Sequence, residues 1–461
     1  MNNYNKHSQP FVMVLVITVV LFIVTQFDNQ ITIFGFKTKK VDLFSDIEKK
    51  ENFKLTPVLD SIPTNQITEN KVIPPSILGN VNIVDFKTDT SSALSHFFQA
   101  LNATKNGKHK TRIAYFGDSM IEGDLISQDL RHSIQEKFGG FGVGFVPITS
   151  IVAGFRASIT HSFDGWTTYN LIEKTPTNHV LGISGYGFVP DTLNFVDSSN
   201  TSKGSWVNYT AVSRKHLDKF CGTKLLFGKS SNENYVEVND VIYPLKGDNW
   251  VNQIELKTAN NCKSIKAEFY CKRPIDIFGF SMESDSGVFV DNFSFRGNSG
   301  MPITKVPQRI YSGTNDCLGY DLIILEYGLN AVNPAITDYG WYEQGMNNVI
   351  QHIHASFPKV SILLISVGDK SYRNNGIYET DPSVPLLVEA QKRMAKNNKI
   401  AFWNLYDAMG GYGSMVKWVE GDTVFANKDY THFNFRGAHK IGKLLFSKLM
   451  NEYNDYNEKQ Q

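Results

Sequence analysis

Three side chains in this sequence have the types and the spacing that catalysis by a serine nucleophile requires. Ser119 ends the tripeptide GDS after a short apolar run, and Asp429 and His432 lie three residues apart in DYTH. A serine hydroxyl is a weak nucleophile, so it needs a base to take its proton and an acid behind that base. His432 can be the base and Asp429 the acid. Each motif alone also suits an ordinary turn, because Gly, Asp and Ser are common turn residues.

The chain around Ser119 predicts a strand, a turn and a helix. The apolar run at residues 112–117 predicts the strand, and apolar residues then recur every four positions until Gly139 and Gly140 end the helix. From residue 321 strand and helix patterns alternate again, with strands in LIILEYG, VSILLIS and IAFWNL and helices that include residues 382–397 and 438–453. This alternation predicts an α/β domain with a parallel sheet and helices on both faces.

Between these two parts the pattern changes. Residues 158–284 contain short alternating runs separated by turn dipeptides, and no helical period appears. This pattern predicts an inserted all-β domain, a β-sandwich or jelly roll, between the first and second strands of the α/β domain. Trp166, Trp206 and Trp250 of this insert suit either stacking on sugars or packing in a core.

The N-terminal region predicts a membrane anchor. Residues 11–24 are almost wholly apolar, and the run can be extended to Phe27, which is the short limit for a spanning helix. Lys6 precedes it and Asp28 follows, which favours a cytoplasmic N-terminus. No small-residue cleavage site follows, so we expect a signal anchor rather than a removed signal peptide; a buried core helix is the alternative. Residues 28–90 are polar and irregular and suggest a stalk, with the remaining chain outside the cytoplasm.

Composition limits the classes of function. The chain has 461 residues, enough for more than one folded unit, and its 46 Lys and Arg balance 45 Asp and Glu. No overall charge therefore draws it to nucleic acid. Cys262 and Cys271 flank an alternating run and could close a hairpin, whereas the pairing of Cys221 and Cys317 stays open. The four cysteines lack the C-x-x-C spacing of a zinc site, so we expect no bound metal.

The predicted sheet brings the candidate site residues together. Open parallel sheets bind ligands at the carboxyl ends of their strands, where Ser119, Asn330 and the loop with Asp429 and His432 would meet. Acyl transfer also needs donors for the developing oxyanion. The Ser119 N–H, the Asn330 side-chain amide and a backbone N–H from FSFRGNSG, at Gly297 or Gly300, are the candidates. Two acidic residues after the serine would lie near the mouth of this pocket, as solvated surface or as contacts to sugar hydroxyls: Glu122 and Asp124.

These motifs resemble the four blocks of the SGNH (GDSL-type) hydrolase superfamily, which supply Ser, Gly, Asn and His in that order. The matches are Ser119 in GDSM, Gly297 in RGNSG, Asn330 in GLNA, and Asp429 with His432 in DYTH. The longer text GDSMIEGDLISQDLRHSIQEKFGGFGVGF is similar to periplasmic peptidoglycan O-acetylesterases, a branch whose members carry a carbohydrate-binding-like β-sandwich insert. The resemblance covers roughly residues 110–450. The third block usually reads G-x-N-D, and Ala331 replaces the acid here, which we expect to change only local structure.

The resemblance implies a serine esterase that removes O-acetyl groups from peptidoglycan or another envelope or extracellular polysaccharide through an acetyl-serine intermediate. In that reaction Ser119 attacks, His432 is the base that Asp429 orients, and the Ser119 N–H, Gly297 N–H and Asn330 amide bind the oxyanion. No cofactor is implied, and the partners are the acetylated glycan and the membrane. The alternatives are an O-acetyltransferase with the same triad and a glycan-binding envelope protein without catalysis.

The resemblance also implies a three-layer, flavodoxin-like α/β fold on the periplasmic side of a bacterial inner membrane. The predicted parts of the chain are a cytoplasmic tip and anchor, a stalk, the first part of the hydrolase domain, the β insert and the second part of the hydrolase domain. Their bounds are residues 1–27, 28–90, 91–157, 158–284 and 285–455.

Overall fold

The computed structural model describes residues 32–33, 36–37, 79, 81–87, 91–191, 204–231 and 233–460. The predicted anchor at residues 1–27 lies outside this part of the chain, as does most of the predicted stalk. Among the described helices, none has the length and apolar character needed to cross a membrane. The chain divides into two compact units, Met1–Ile73 and Pro74–Gln461. The first contains the described strands Thr32–Ile33 and Phe36–Lys37, and the other described strands and helices belong to the second.

The described strands and helices are numbered separately along the chain. The strands are β1 Thr32–Ile33, β2 Phe36–Lys37, β3 Val84–Asp85, β4 Lys110–Gly117, β5 Gly144–Val146, β6 Thr160–Asp164, β7 Trp166–Asn170, β8 Tyr186–Pro190, β9 Ser205–Thr210, β10 Phe220–Phe227, β11 Tyr235–Val238, β12 Val241–Pro244, β13 Asn252–Cys262, β14 Ser264–Tyr270, β15 Ile277–Glu283, β16 Gly287–Ser294, β17 Leu322–Glu326, β18 Ser361–Ile365, β19 Ser371–Asn374, β20 Ile377–Thr380 and β21 Ala401–Trp403. The helices are α1 Ser95–Lys105, α2 Ser127–Phe138, α3 Gln308–Leu318, α4 Gly340–Ser356, α5 Ser383–Asn397, α6 Leu405–Met409, α7 Ser414–Glu420 and α8 Phe435–Glu458. Two 3₁₀ turns span Glu122–Asp124 and Met301–Lys305.

A parallel sheet organises the α/β part of the second unit. Its strands lie in the order β16-β4-β17-β18-β21, and β3 pairs antiparallel with β21 at the edge. Counted along the chain, the parallel strands follow the 2-1-3-4-5 order of flavodoxin-like sheets. The predicted parallel α/β sheet is therefore confirmed. The strand β3 lies inside residues 28–90, the segment predicted as a stalk. The sequence did not predict this strand, because two residues are too few to show a period.

Helices cover both faces of this sheet. On one face α1, α2 and α8 pack on the sheet, with Phe98, Leu130 and Leu445 in one buried apolar core. On the other face α3, α4 and α5 bury side chains such as Ile310 and Val349 in a second core. Burial of these apolar side chains holds the strands rigidly, so the carboxyl ends of β4 and β17 are fixed relative to each other.

The strands between α2 and β16 form two antiparallel sheets, in the region where the sequence predicts an all-β insert. One has the order β13-β10-β15-β8-β7, with β5 also paired to β15, and the other has the order β12-β11-β14-β9-β6. Apolar side chains from both sheets, among them Val207, Leu225 and Phe280, form a third buried core. Since β5 belongs to the first of these sheets, the all-β part begins before residue 158, the predicted start of the insert.

The predicted hairpin between Cys262 and Cys271 is wrong. The segment between them is the single strand β14, which pairs with β9 and β11, whereas Cys262 ends β13 in the other sheet. A strand of seven residues spans roughly 23 Å, far beyond the reach of a disulfide. Cys262, Cys271 and Cys317 are free thiols.

Candidate active site

Ser119 lies just beyond the carboxyl end of β4, where it meets the loop that leads into α8. Its Oγ is 2.8 Å from Nε2 of His432, and Nδ1 of His432 is 2.8 Å from Oδ2 of Asp429. A carboxylate only accepts hydrogen bonds, so Nδ1 carries the proton of the neutral ring. Nε2 is then free to accept from the serine hydroxyl. The three predicted residues thus form one continuous line of hydrogen bonds.

The turn that carries Asp429 and His432 is held by its own hydrogen bonds. Oδ1 of Asp429 accepts the backbone N–H groups of Thr431 and His432, both at 3.0 Å. Partial burial raises the pKa of the Asp429 carboxyl, but these N–H groups and the His432 ring outweigh it and lower the pKa overall. The carboxylate is therefore ionised at neutral pH and can orient the imidazole ring.

A second chain of contacts joins Asp118, beside the serine, to the loop after β17. Oδ1 of Asp118 accepts the backbone N–H of Met120 at 3.0 Å, and Oδ2 accepts from Nδ2 of Asn330 at 3.2 Å. Nδ2 of Asn330 also donates to the backbone carbonyl of Asn298 at 3.1 Å. Burial raises the pKa of Asp118 to about 6. Asn330 therefore ties the loops after β4, β16 and β17 together, and both of its amide protons are already used.

The backbone N–H groups predicted as oxyanion donors, those of Ser119 and either Gly297 or Gly300, differ in whether they already donate a hydrogen bond within the protein. Among the described residues, neither the Ser119 N–H nor the Gly297 N–H has a hydrogen-bond partner. The Gly300 N–H, in contrast, donates to Oδ1 of Asn298 at 2.8 Å, which favours Gly297 over Gly300 as the donor. Gly297 has a φ of 73°, a backbone conformation that glycine adopts without strain. The oxyanion roles of these groups remain predictions.

The structure corrects the expectation that Glu122 and Asp124 are solvated surface. Asp124 is buried in a bidentate ion pair with Arg131, at 2.6 and 2.8 Å. Burial raises the pKa of Asp124, but Arg131 and Arg156 more than offset this and hold the pKa well below its usual range. Glu122 is also buried and pairs with Arg296. The partner of Glu122 lies 174 residues away along the chain, so periodicity could not reveal that pair.

One buried acid near the site gave no signal in the sequence. Glu326 ends β17 and accepts a hydrogen bond from the Tyr115 hydroxyl on neighbouring β4. Burial raises the pKa of Glu326 to about 8, and the charge of Asp118 adds to the rise. At neutral pH this carboxyl is therefore mostly protonated. It lies within an apolar strand, a context in which sequence patterns predict core packing alone.

The described residues contain one cluster that could hold a metal ion. His132 and Glu136 of α2 and His216 each offer one ligand atom, and these atoms lie within 4.8 Å of one another. Glu136 already accepts from Nε2 of His216 at 2.7 Å and pairs with Lys215. This cluster shares no residue with the Ser119 line of hydrogen bonds. The prediction that the reaction needs no metal or cofactor remains a prediction.

Comparison with solved structures identifies the fold. The chain is similar to a structure described as a peptidoglycan O-acetylesterase in action, with a TM-score of 0.65 and 22% identity over 81% of this chain and 99% of that chain. A family two carbohydrate esterase from Cellvibrio japonicus has a TM-score of 0.27, with 11% identity over 64% of this chain and 99% of that one. An acetyl xylan esterase has a TM-score of 0.29, with 17% identity over 35% of this chain and 80% of that one. The last two scores are too low to support an argument.

No family model matches the chain, and no curated protein matches it. The similarity to the O-acetylesterase structure confirms the fold implied by the SGNH resemblance.

Proposed function

We propose that this protein is a serine esterase that removes O-acetyl groups from a cell-envelope or extracellular glycan. The observation that carries the proposal is the line of hydrogen bonds from Ser119 through His432 to Asp429. The line lies at the carboxyl ends of parallel strands, where ligands bind to open α/β sheets. Its geometry satisfies the two contacts that a serine nucleophile needs, one to a base and one from that base to an orienting acid.

The reaction proceeds in two steps. Oγ of Ser119 attacks the acetyl carbonyl while Nε2 of His432 takes the hydroxyl proton, and the N–H groups of Ser119 and Gly297 bind the oxyanion. The ester bond to the sugar then breaks, and the imidazolium gives its proton to the departing sugar oxygen. A water molecule, deprotonated by His432, then attacks the acetyl-serine. The bond between Oγ and the acetyl carbon breaks, the imidazolium returns its proton to Oγ, and acetate is released. Asp429 stays ionised and stabilises the imidazolium in both steps.

The proposal of a glycan substrate has two supports. The first is the shared fold with the peptidoglycan O-acetylesterase structure. The second is a pair of aromatic rings beside the active-site loop, Phe155 and Phe435, whose centroids are 5.1 Å apart. Each side chain is 47% exposed, although large apolar side chains are usually buried. Exposed rings of this kind offer an apolar surface for the face of a sugar.

The experiment that tests the proposal measures acetate release from O-acetylated glycans by the purified full-length chain. We expect release by the wild type and a loss of roughly 10⁴-fold or more in Ser119→Ala and in His432→Ala, because the triad acts as a unit. Circular dichroism of each variant controls for folding. Near-normal release by either folded variant would overturn the assignment. Transfer of the acetyl group to an added sugar, in place of free acetate, would identify a transferase.

We further propose that residues 1–27 anchor this esterase in a membrane, with the active site on the extracytoplasmic side. The support is the apolar run at residues 11–27 and the charges that flank it. An envelope glycan is found on that side of a membrane, so the location and the proposed substrate agree.

A further inference from the structure

A pocket close to the Ser119 loop is built jointly by the α/β part and the β sheets. Its cavity volume is about 150 Å³. The α/β part contributes the turn Glu122–Asp124 and the end of β16, and the loop after β5 contributes Arg156. Six hydroxyl groups also line it: those of Thr149, Ser150, Thr168, Ser184, Tyr186 and Ser294. A pocket of this size lined by hydroxyls suits a polar group of a bound molecule.

The charges around this pocket do not balance. Asp124 is fully used by Arg131, which binds both carboxylate oxygens, and by the Ser127 hydroxyl at 2.6 Å. Arg156 makes only a long contact to the same carboxylate, 3.5 Å from Nη2 to Oδ2. Glu122 is neutralised by Arg296. Among the described residues around the pocket, the Arg156 guanidinium therefore has no carboxylate of its own and only shares that of Asp124.

Arg156 is nevertheless almost fully buried. Its side chain is 7% exposed, and its one short hydrogen bond runs from Nε to the Ser158 hydroxyl at 2.8 Å. Burial lowers the pKa of the Arg156 guanidinium, and the neighbouring Arg131 lowers it further, while Asp124 raises it. A buried charge without a close partner is costly. An anion bound in the pocket would supply that partner.

The Ser184 hydroxyl gives a second, independent indication of a ligand. It lines the same pocket, is 8% exposed, and has no hydrogen-bond partner among the described residues. Buried hydroxyls in folded proteins are nearly always hydrogen-bonded. Burial, together with the charge of Glu122, raises the pKa of Tyr186 to about 12, so its phenol is a donor at neutral pH. Among the described residues, the pocket therefore combines a guanidinium that has no carboxylate of its own with a buried hydroxyl, that of Ser184, that has no hydrogen-bond partner.

Aromatic contacts connect this pocket with the catalytic loop. The Phe155 ring packs so closely on Gly123 that a Cβ there would lie 2.4 Å from it, and Gly123 itself lines the pocket. Phe155 also contacts Phe435, three residues after His432. A glycan chain lying on the two rings would extend from the catalytic residues towards Arg156.

We propose that this pocket binds a carboxylate of the glycan, so that the substrate is an O-acetylated acidic polysaccharide, with Arg156 as the partner of the carboxylate. The Arg156 guanidinium, which has no carboxylate of its own among the described residues, matches the single charge of a carboxylate. A phosphate dianion would need a second cation, but Arg131 and Arg296 are already paired with Asp124 and Glu122. The proposal rests on the proposed esterase function and adds the chemical class of its substrate. Arg156 and Ser184 are then specificity-determining residues outside the catalytic line.

The test compares kcat/KM for O-acetylated oligogalacturonate, which carries carboxylates, with that for O-acetylated xylo-oligosaccharide, which is neutral. We expect the full-length wild type to prefer the acidic substrate, and Arg156→Gln to lower the acidic-to-neutral ratio by about 10- to 100-fold. Ser184→Ala, which removes only the hydroxyl group and so leaves packing nearly intact, should lower the ratio several-fold. Arg273→Gln, at an exposed arginine paired with Glu233, is the matched control and should not change the ratio.

The outcomes separate the two proposals. A wild type that prefers the neutral substrate, or a ratio unchanged in both Arg156→Gln and Ser184→Ala, would overturn the carboxylate site. If the wild type releases no acetate from either glycan, the esterase proposal fails, and titration calorimetry with unacetylated oligogalacturonate still tests the pocket. Binding to the wild type that is lost in Arg156→Gln would then support the carboxylate site alone.

Discussion

At the scale of single residues, Asn330 has two functions that compete for the same amide. The catalytic prediction assigns its N–H to the oxyanion, whereas the structure shows both amide protons bound to Asp118 and to the carbonyl of Asn298. Substrate binding would have to draw one N–H from its present acceptor towards the substrate oxygen.

Asn330→Ala should therefore lower kcat by about 10²–10³-fold with little change in KM, because the interaction forms mainly in the transition state. Steady-state kinetics with a small acetyl ester checks this. Asn333→Ala is the matched control, since Asn333 is exposed in the same loop and its side chain accepts only a local backbone N–H, that of Ala335. A normal kcat in Asn330→Ala would remove this residue from the oxyanion site.

The residues of the catalytic line could be predicted from the sequence because each follows a recognisable element. Ser119 follows an apolar strand, and the turn with Asp429 and His432 precedes the last helix. The states of Glu122, Asp124 and Arg156 could not be predicted in this way. The ion pair of Glu122 with Arg296 and the pocket beside Arg156 form only when distant parts of the chain pack together.

At the scale of elements, the pair of strands β4 and β17 buries an acid between them. The Tyr115 hydroxyl donates to Glu326, and the second carboxyl oxygen of Glu326 has no partner among the described residues. The folded protein therefore holds the proton of Glu326 up to a pH of about 8, while the unfolded chain releases it near its usual pKa of 4.5. The folded state binds more protons between these values, so this group makes stability fall as pH rises through that window.

Glu326→Gln should remove this pH dependence, because glutamine is close in shape to the protonated acid and carries no charge. Relative to wild type, we expect the free energy of unfolding of the variant to rise by about 3–5 kcal/mol between pH 4.5 and pH 8, at about 1.4 kcal/mol for each unit of pKa shift. Urea unfolding at a series of pH values measures the difference. A constant difference across that range would mean that Glu326 is not protonated in the folded protein.

The long elements were more predictable than the short ones. The strand β18 and the helices α5 and α8 have apolar patterns long enough to define their type, and the structure contains them. The hairpin of β19 and β20 and the short helix α6 have no such pattern, because four or five residues cannot establish a period. The error at Cys271 has a different cause, since neighbouring strands in sequence, β13 and β14, pair in different sheets.

At the scale of the whole molecule, the chain divides into an N-terminal unit, Met1–Ile73, and a unit, Pro74–Gln461, that contains all three buried cores. If residues 1–27 form the anchor, a reporter fused after Gln461 should be active outside the cytoplasm. The fusion should also stay in the membrane fraction after washing with high salt, because an apolar span is not released by charge screening. Activity of a reporter that works only in the cytoplasm would contradict the proposed orientation.

The pairing of β16 with β4 affects the order in which the molecule folds. Lys110 of β4 lies opposite Gly287 of β16, so this edge of the sheet can close only after every strand from β5 to β15 has been synthesised. Closing so long a loop is slow, because its conformational entropy must be lost first. Pairing of β5 with β15 lowers this cost, since Val146 and Phe280 bring the two ends of the intervening segment together. We therefore expect the β sheets to fold early and the β16 edge of the catalytic sheet to close late.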